Sequence, residues 1–536
     1  MRPDASPLQR GREFLRRGSA FVWLSAAALA LSLLMITGLV GFIAVKGLGF
    51  FWPRALVQAT TPEGPMLGEL SAQEAALGEE PAKVQFRVAN RDLYGQDFRW
   101  IKAAELGAQQ RPAGAVLVER LENGAFIGYV EQVSEKGVPA ASGDEAFDLA
   151  LRRLPEAKAV QDEIRTLEKD EVGALNRTLE ELRLRRRGEA GAGVVAALDA
   201  EEKALRGRYD ALQARLDGLR AKSGELQITL KSVDGQTKEI PLSAVVRIVA
   251  PNRTGPFGKA AVYLSRLWEF VSGDPRESNT EGGIFPAIFG TVMMVLIMSL
   301  MVVPLGVVTA LFLREYAKDG WLVRSVRVAV NNLAGVPSIV FGVFGLGFFV
   351  YTLGGAIDQA FFADRLPAPT YGTGGILWAS LTLALLTVPV VVVATEEALA
   401  AVPRSQREAS LALGATKWQT LWKVVLPGAT PGILTGLILA MARGAGEVAP
   451  LMLTGVVKLA PAMPLDGQFP FFHLDRKFMH LGFHIYDVGF QSPNSEAAKP
   501  MVYMTALLLL LVVVALNLFA LRLRRRLRER LGGSAF

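Results

Sequence analysis

Arg443 and Glu447 stand four residues apart and are the only formal charges in an otherwise apolar stretch at about 430–456. A charge at mid-bilayer costs roughly 2.5–3.5 kcal/mol even on lenient insertion scales, so such residues are functional candidates by default. Counted from Pro431, Arg443 falls roughly 20 Å along a helix, near the midplane, with Glu447 one turn further on the same face. Two readings stay open. In one, the residues form an intrahelical ion pair that neutralises both charges and faces another helix. In the other, Arg443 lines a translocation path, where its planar fork of donors suits the oxygens of an oxyanion. Glu447 then holds Arg443 in place and keeps the resting path from trapping anions. One arginine cannot discriminate among tetrahedral oxyanions.

Other chemistry is thinly represented. His473, His480 and His484 fall within twelve residues, but the chain has no cysteine, and no carboxylate supports them at i,i+4 spacing. A loop or interfacial helix is expected there rather than a metal site. The sequence has no G-x-x-x-x-G-K-[ST], H-E-x-x-H or serine-elbow pattern, so no ATP, cofactor or catalytic residue is expected on this chain.

The elements that must position these residues are apolar helices. Of 536 residues, 51% are apolar and 20% charged, with mean hydropathy +0.29. The average hides two populations, because uncharged stretches recur at 18–45, 282–313, 328–357, 366–395, 424–442 and 500–521. Most exceed the ~20 residues that cross a bilayer. A soluble enzyme built on one core is excluded. Six spans are expected at about 20–45, 284–313, 328–353, 374–395, 430–456 and 501–521.

The net charge of +7 does not point to nucleic acid, because many basic residues flank the spans. Arg10, Arg12, Arg16 and Arg17 precede the first span, and Arg522, Arg524, Arg525, Arg526, Arg528 and Arg530 follow the last. The positive-inside rule places the N-terminus (1–19) and the basic tail (522–536) in the cytoplasm. Arg314, Lys318, Arg324 and Arg327 then fall in one inner loop, and Arg404, Arg407, Lys417 and Lys423 in the other. The short outer loop has only Arg365. This orientation puts residues 47–280 outside.

That insertion reads as an α+β module. Asn123-Gly124, between VLVERLE and AFIGYVEQV, is a hairpin signal, as is Asp234-Gly235 between QITLKSV and the VVRIV run at 245–249. Residues 152–222 hold 30 charges in 71 positions, too many for a buried core. Leu205, Tyr209, Leu212, Leu216 and Leu219 repeat with 4,3 spacing, and Leu175, Leu179 and Leu182 do so upstream. An antiparallel coiled-coil hairpin is expected, broken at GEAGAG (188–193). Residues 257–272 suit an interfacial helix. Pro304, Pro337 and Pro389 are expected to kink spans two, three and four, and Gly335, Gly342, Gly345 and Gly347 to allow close helix approach.

The inner loop at 395–428 carries the most specific spacing. It reads Glu408-Ala409-Ser410, three residues, Gly414, nine residues, then Val424-Val425-Leu426-Pro427. This resembles the EAA loop of bacterial ABC importer permeases, with Ser410 for the second Ala and Val424 for Ile. A short helix turned by Gly414 would sit in a groove on an ATPase. NTEGGIFPAIFGT (279–291), LREYA (313–317), GVPSIVFGVFGLG (335–347) and RGAGEVAPLMLTG (443–455) are similar to the A-type permeases of the phosphate-specific Pst importer.

The resemblance covers about 257–521 and implies an all-α polytopic membrane protein of the MetI-like type, with core spans at 284–521. It further implies inward phosphate transport, with Arg443 and Glu447 on the substrate path. Glu408, Ala409, Gly414, Leu426 and Pro427 would couple it to ATPases. The implied partners are a homologous second permease (PstC type), an ATPase dimer (PstB type) that carries ATP and Mg, and an external phosphate-binding protein (PstS type). The alternatives are a permease for another oxyanion, such as sulfate or molybdate, and a membrane sensor or scaffold with an external coiled coil.

Overall fold

The computed structural model describes residues 19–76, 81–188, 192–318, 320–492 and 495–532. The arginines at 10–17 and residues 189–191 of GEAGAG lie outside the described residues.

Among the described residues, six helices are long and apolar enough to cross a membrane: Phe21–Phe51, Phe285–Tyr316, Ser338–Phe361, Ile376–Ala401, Lys417–Gly446 and Ala498–Leu527. Span four is central, packed against spans two and five, whereas span one runs alone along span six with none of its most apolar stretch buried. Lipid offers no hydrophobic drive between helices, so contact depends on small residues that let backbones approach. Gly432 and Gly436 of span five meet Ala398 and Ala394 of span four so closely that a Cβ on either glycine would collide. In span three, Gly342 abuts Pro450 and Gly345 abuts Thr382. Gly335 and Gly347 make no such approach, contrary to expectation, since Gly335 precedes the span and Gly347 faces open space.

Two span boundaries differ from the sequence expectation. Residues expected to open span three instead belong to a separate helix, Trp321–Leu333, and the span proper begins at Ser338. Pro337 caps it in an extended conformation and does not kink it. The proline ring pushes its predecessor out of the helical region, so hydropathy runs through a point where the backbone cannot. Span five stops at Gly446 rather than 456. Glu447 is extended (φ −78°, ψ 135°), and a six-residue helix, Ala449–Thr454, follows. Pro304 and Pro389 do lie inside their helices. The basic residues after 521 continue the last helix, which spans Ser495–Gly532.

Among the described residues the insertion holds two antiparallel sheets of five and six strands. The first contains β1 (Leu56–Thr61), β2 (Gly64–Glu74), β3 (Lys83–Arg87), β4 (Phe98–Lys102) and β5 (Gln109–Gln110), in the order β4-β3-β2-β1-β5. The second contains β6 (Val116–Arg120), β7 (Phe126–Glu135), β8 (Val138–Ser142), β9 (Leu226–Lys231), β10 (Thr237–Pro241) and β11 (Val245–Val249). Its order is β10-β9-β7-β6-β11, with β8 also on β7. Leu56, Leu67, Leu117 and Ile127 fill the space between the sheets.

Asn123 and Gly124 both take positive φ and close the β6–β7 hairpin. Asp234-Gly235 also closes a hairpin, but β9 pairs with β10, and the 245–249 run instead pairs with β6. A tight turn delivers the chain to the residues that immediately follow it, here TKEIP. The next run is then free to cross to the other edge.

Between β8 and β9 a long leg built from Gly143–Thr166, 167–172 and Gly173–Gly188 runs antiparallel to Ala192–Glu225. Ile164, Leu167 and Leu216 are buried between the legs, flanked by the Arg215–Glu163 and Arg220–Glu168 ion pairs at 2.7 Å each. Helix Pro256–Ser272 joins the insertion to span two and leaves Phe257, Leu264 and Trp268 exposed while burying Phe270.

The segment between spans five and six folds back into the bundle. Leu481 N–H donates to Thr291 Oγ1 of span two at 2.9 Å, and His480 and His484 are buried. Burial pushes the His480 imidazole down to about 3 and that of His484 down to about 4. A histidine neutral in the fold but near 6.5 when unfolded makes the unfolded state bind more protons, so stability falls as pH drops from about 6.5 towards 4. The expected outcome is a melting temperature that declines across that window, with a shallower decline in His480→Gln. Equal slopes in the two proteins would refute the assignment.

Candidate functional site

Two sites lie at opposite ends of span five. At its start, helix Arg404–Ala412 leaves span four at Pro403 and turns at Gly414. Gly414 has φ +85°, a conformation that costs a side-chain-bearing residue roughly 1–2 kcal/mol. Thr416 and Gln419 then form a capping box that restarts the helix, which runs through Leu426 and Pro427 into span five. Ser410 and Thr420 hydroxyls meet at 2.9 Å and tie the two limbs together. Glu408, Ala409 and Gly414 are exposed on the outer surface of this loop, and Leu413 beside them is 89% exposed.

Three further residues at this loop were not singled out for coupling from sequence. Arg407 pairs with Glu315 at the end of span two and donates to the Leu399 carbonyl. Lys417 donates to the Glu315 carbonyl and lies 5.0 Å from the Tyr316 ring. The loop is thus fastened to span two as well as to spans four and five. The signal was present, because Glu315 and Tyr316 fall within LREYA, but no spacing rule links positions 92 residues apart.

At the far end, Arg443 sits in the last turn of the span-five helix, where the partial negative charge of the helix C-terminus favours a cation. Its Nε lies 3.8 Å from Glu447 Oε1. Glu447 does not continue the same helical face, as spacing suggested. It is the residue at which the helix ends, and the separation is too long for a hydrogen bond. Both side chains are partly open, at 33% and 22% exposure, and among the described residues Glu447 is the one ion-pair partner of Arg443. The rest of the guanidinium fork has no ion-pair partner among the described residues. Arg443 and the coupling loop are not brought together.

The three histidines do not converge. His473 Nε2 meets Asp466 at 3.0 Å, His480 Nδ1 accepts Gly482 N–H, and His484 Nδ1 lies 3.3 Å from Thr505 Oγ1. Among the described residues no group of His, Asp and Glu is arranged to hold a metal ion.

Residues 302–529 match the family described as the binding-protein-dependent transport system inner membrane component. The chain is 37% identical over 254 residues to a phosphate transport system permease protein PstA of Mycobacterium leprae, a match covering 47% of this chain and 74% of that protein. It is 34% identical over 251 residues to PstA of Yersinia pestis, covering 47% and 75%. It is also 31% identical over 221 residues to PstC of Xylella fastidiosa, covering 39% and 68%.

The turn at Gly414 gives a direct test. Gly414→Ala keeps the surface apolar but must adopt a positive φ, so amide exchange across 404–420 should rise roughly tenfold, the equivalent of ~1.4 kcal/mol. Unchanged exchange would mean that the turn does not depend on glycine.

Proposed function

The chain belongs to the PstA-type family of ABC importer permeases, and on that premise we propose that it lines a path for inorganic phosphate and passes it inward on ATP hydrolysed elsewhere. Its relatives are permease subunits rather than enzymes, and ATP hydrolysis belongs to partner ATPases. A multi-pass membrane protein of this family works with other ABC subunits. The partners inferred here are a homologous C-type permease, a B-type ATPase dimer that carries ATP and Mg, and an S-type phosphate-binding protein. This chain holds no cofactor in that reading.

One observation supports the coupling role above the others. The exposed helix-turn at 404–414 is fastened to span two through Arg407 and Glu315, so a push on the loop is delivered to three spans at once. Closure of a nucleotide-bound ATPase dimer would supply the push, received by Glu408, Ala409, Leu413 and Gly414. Arg443 would meet phosphate with its free donors, and Glu447, 3.8 Å away, would compete for the cation when no anion is present.

In this reading the insertion faces outward, and both termini and the coupling loop face the cytoplasm. Protease added outside the inner membrane should cut within 152–222, and protection of that segment would reverse the orientation. The function itself is tested in the reconstituted complex. Arg443→Ala should abolish phosphate uptake with the complex intact, and Arg443→Lys should retain only part, because lysine keeps the charge but loses the paired donors. Gly414→Asp should insert normally yet fail to co-purify the ATPase. Full uptake in Arg443→Ala, or undiminished ATPase in Gly414→Asp, would remove the corresponding assignment.

A further inference from the structure

A cavity of about 140 Å³ lies where the insertion meets the bundle. That is far above the roughly 10–15 Å³ that one water needs. Phe50, Phe51 and Trp52 from the end of span one and Pro500 and Met501 from the start of span six form part of its wall. It therefore sits at the depth where lipid headgroups meet aromatic side chains.

Six arginines line the cavity alongside five carboxylates, and the way the carboxylates are shared decides what else can bind. Glu119 accepts from both Arg247 and Arg266. Glu269 accepts from Arg247 at 2.8 Å and from Arg276 Nη1 at 2.7 Å. Arg91 is held by Asp97 at 2.7 Å, with Glu277 behind it at 3.7 Å. These acids are fully used.

Three guanidiniums are not. Arg87 reaches Glu69 and Glu281 only at 3.5 Å each. Arg276 Nε is buried without a hydrogen-bond partner among the described residues. Arg54 donates to the Leu70 and Ser71 carbonyls and, among the described residues, meets no carboxylate. No lining carboxylate oxygen is orphaned in the same way among those residues. Burial pushes the Glu281 carboxyl up against the pull of Arg87, which weakens the acid facing that arginine. The unmet capacity belongs to cationic donors, and an anion with several acceptor oxygens is its complement.

We propose that this cavity binds a phosphate-bearing anion through Arg54, Arg87 and Arg276, at a site separate from Arg443. The same chemistry is offered by a phospholipid headgroup and by inorganic phosphate, and both can be tried on the full-length chain. No ATP, partner or transport is needed, so the outcome is independent of the importer reading.

In one arm, protein reconstituted in phosphatidylglycerol nanodiscs is released into mild detergent, and retained phospholipid is read by native mass spectrometry. In the other, lipid-depleted protein is dialysed against radiolabelled inorganic phosphate. Arg54→Gln is the first variant because it breaks no ion pair seen here, Arg276→Gln is the second, and melting temperature reports whether each is folded. Either probe should bind wild type and be weakened roughly tenfold by Arg54→Gln, the loss of a hydrogen bond to a charged group. Phospholipid retention should be untouched by Arg443→Ala, and inorganic phosphate binding that persists in that variant reports this cavity. Retained phospholipid without inorganic phosphate binding identifies a headgroup site, and saturable inorganic phosphate binding identifies a free-anion site. Binding of neither probe to folded wild type, or equal binding in folded Arg54→Gln and Arg276→Gln, overturns the proposal.

Discussion

A bilayer interior admits no unpaired backbone group and no unpaired charge, and the break in span five exists because the surrounding protein meets that demand. Irregular backbone at membrane depth is tolerated only where it is packed in protein or lines a cavity. Here the peptide groups after Gly446 are taken up by neighbouring segments. Gly375 N–H donates to the Thr454 carbonyl at 3.0 Å, Val457 N–H to Phe478 at 3.0 Å, and Ile376 N–H to Arg476 at 2.9 Å. The short helix Ala449–Thr454, the start of span four and the returning segment at 474–481 thus satisfy one another. The break leaves Arg443 at a helix end with one loose anion instead of a tight intrahelical partner. A continuous helix would have set the two charges one turn apart on the same face.

The two candidate sites lie at the two ends of span five. Its first turns are continuous with the coupling loop, and its last turn presents Arg443. One helical stretch, Lys417–Gly446, therefore runs from Leu426 and Pro427 to Arg443. The ion pair between Arg407 and Glu315 ties the loop to span two as well. Met298 of span two packs where a Cβ on Gly444 would fall, so spans two and five also touch within one residue of Arg443. Spans two and five therefore touch near the loop, through Lys417 and Glu315, and again beside Arg443.

Much of this was legible in the sequence because local physics sets it. The 4,3 spacing of Leu212, Leu216 and Leu219, the positive φ at Asn123-Gly124 and the turn at Gly414 each depend on residues within a few positions. Hydropathy located six spans but not the limits of two of them. It sums apolarity and is blind to backbone breaks, so Trp321–Leu333 merged with span three and Ala449–Thr454 with span five. Strand partners were equally hidden, because a period of two marks β11 as a strand without saying that β6 is its neighbour. At the candidate site, the types and positions of Arg443 and Glu447 were legible but their geometry was not. The partnership of Glu315 with Arg407 joins two spans that the linear order keeps apart.

The insertion folds against its own exit ahead of span two and against the connection that follows span three. Gly124 N–H at the hairpin tip donates to Glu277 at 2.9 Å, and Arg165 and Lys169 of the long leg reach Asp274, just ahead of span two. Further along, the Gly173–Gly188 stretch of the same leg runs against residues 363–365, between spans three and four. The leg therefore bridges the start of span two to the connection that follows span three. Exposed ion pairs of this kind are individually weak, at roughly 0–1 kcal/mol, but the buried arginine and glutamate network beneath them is costly to separate, because parting it would strand charges out of water.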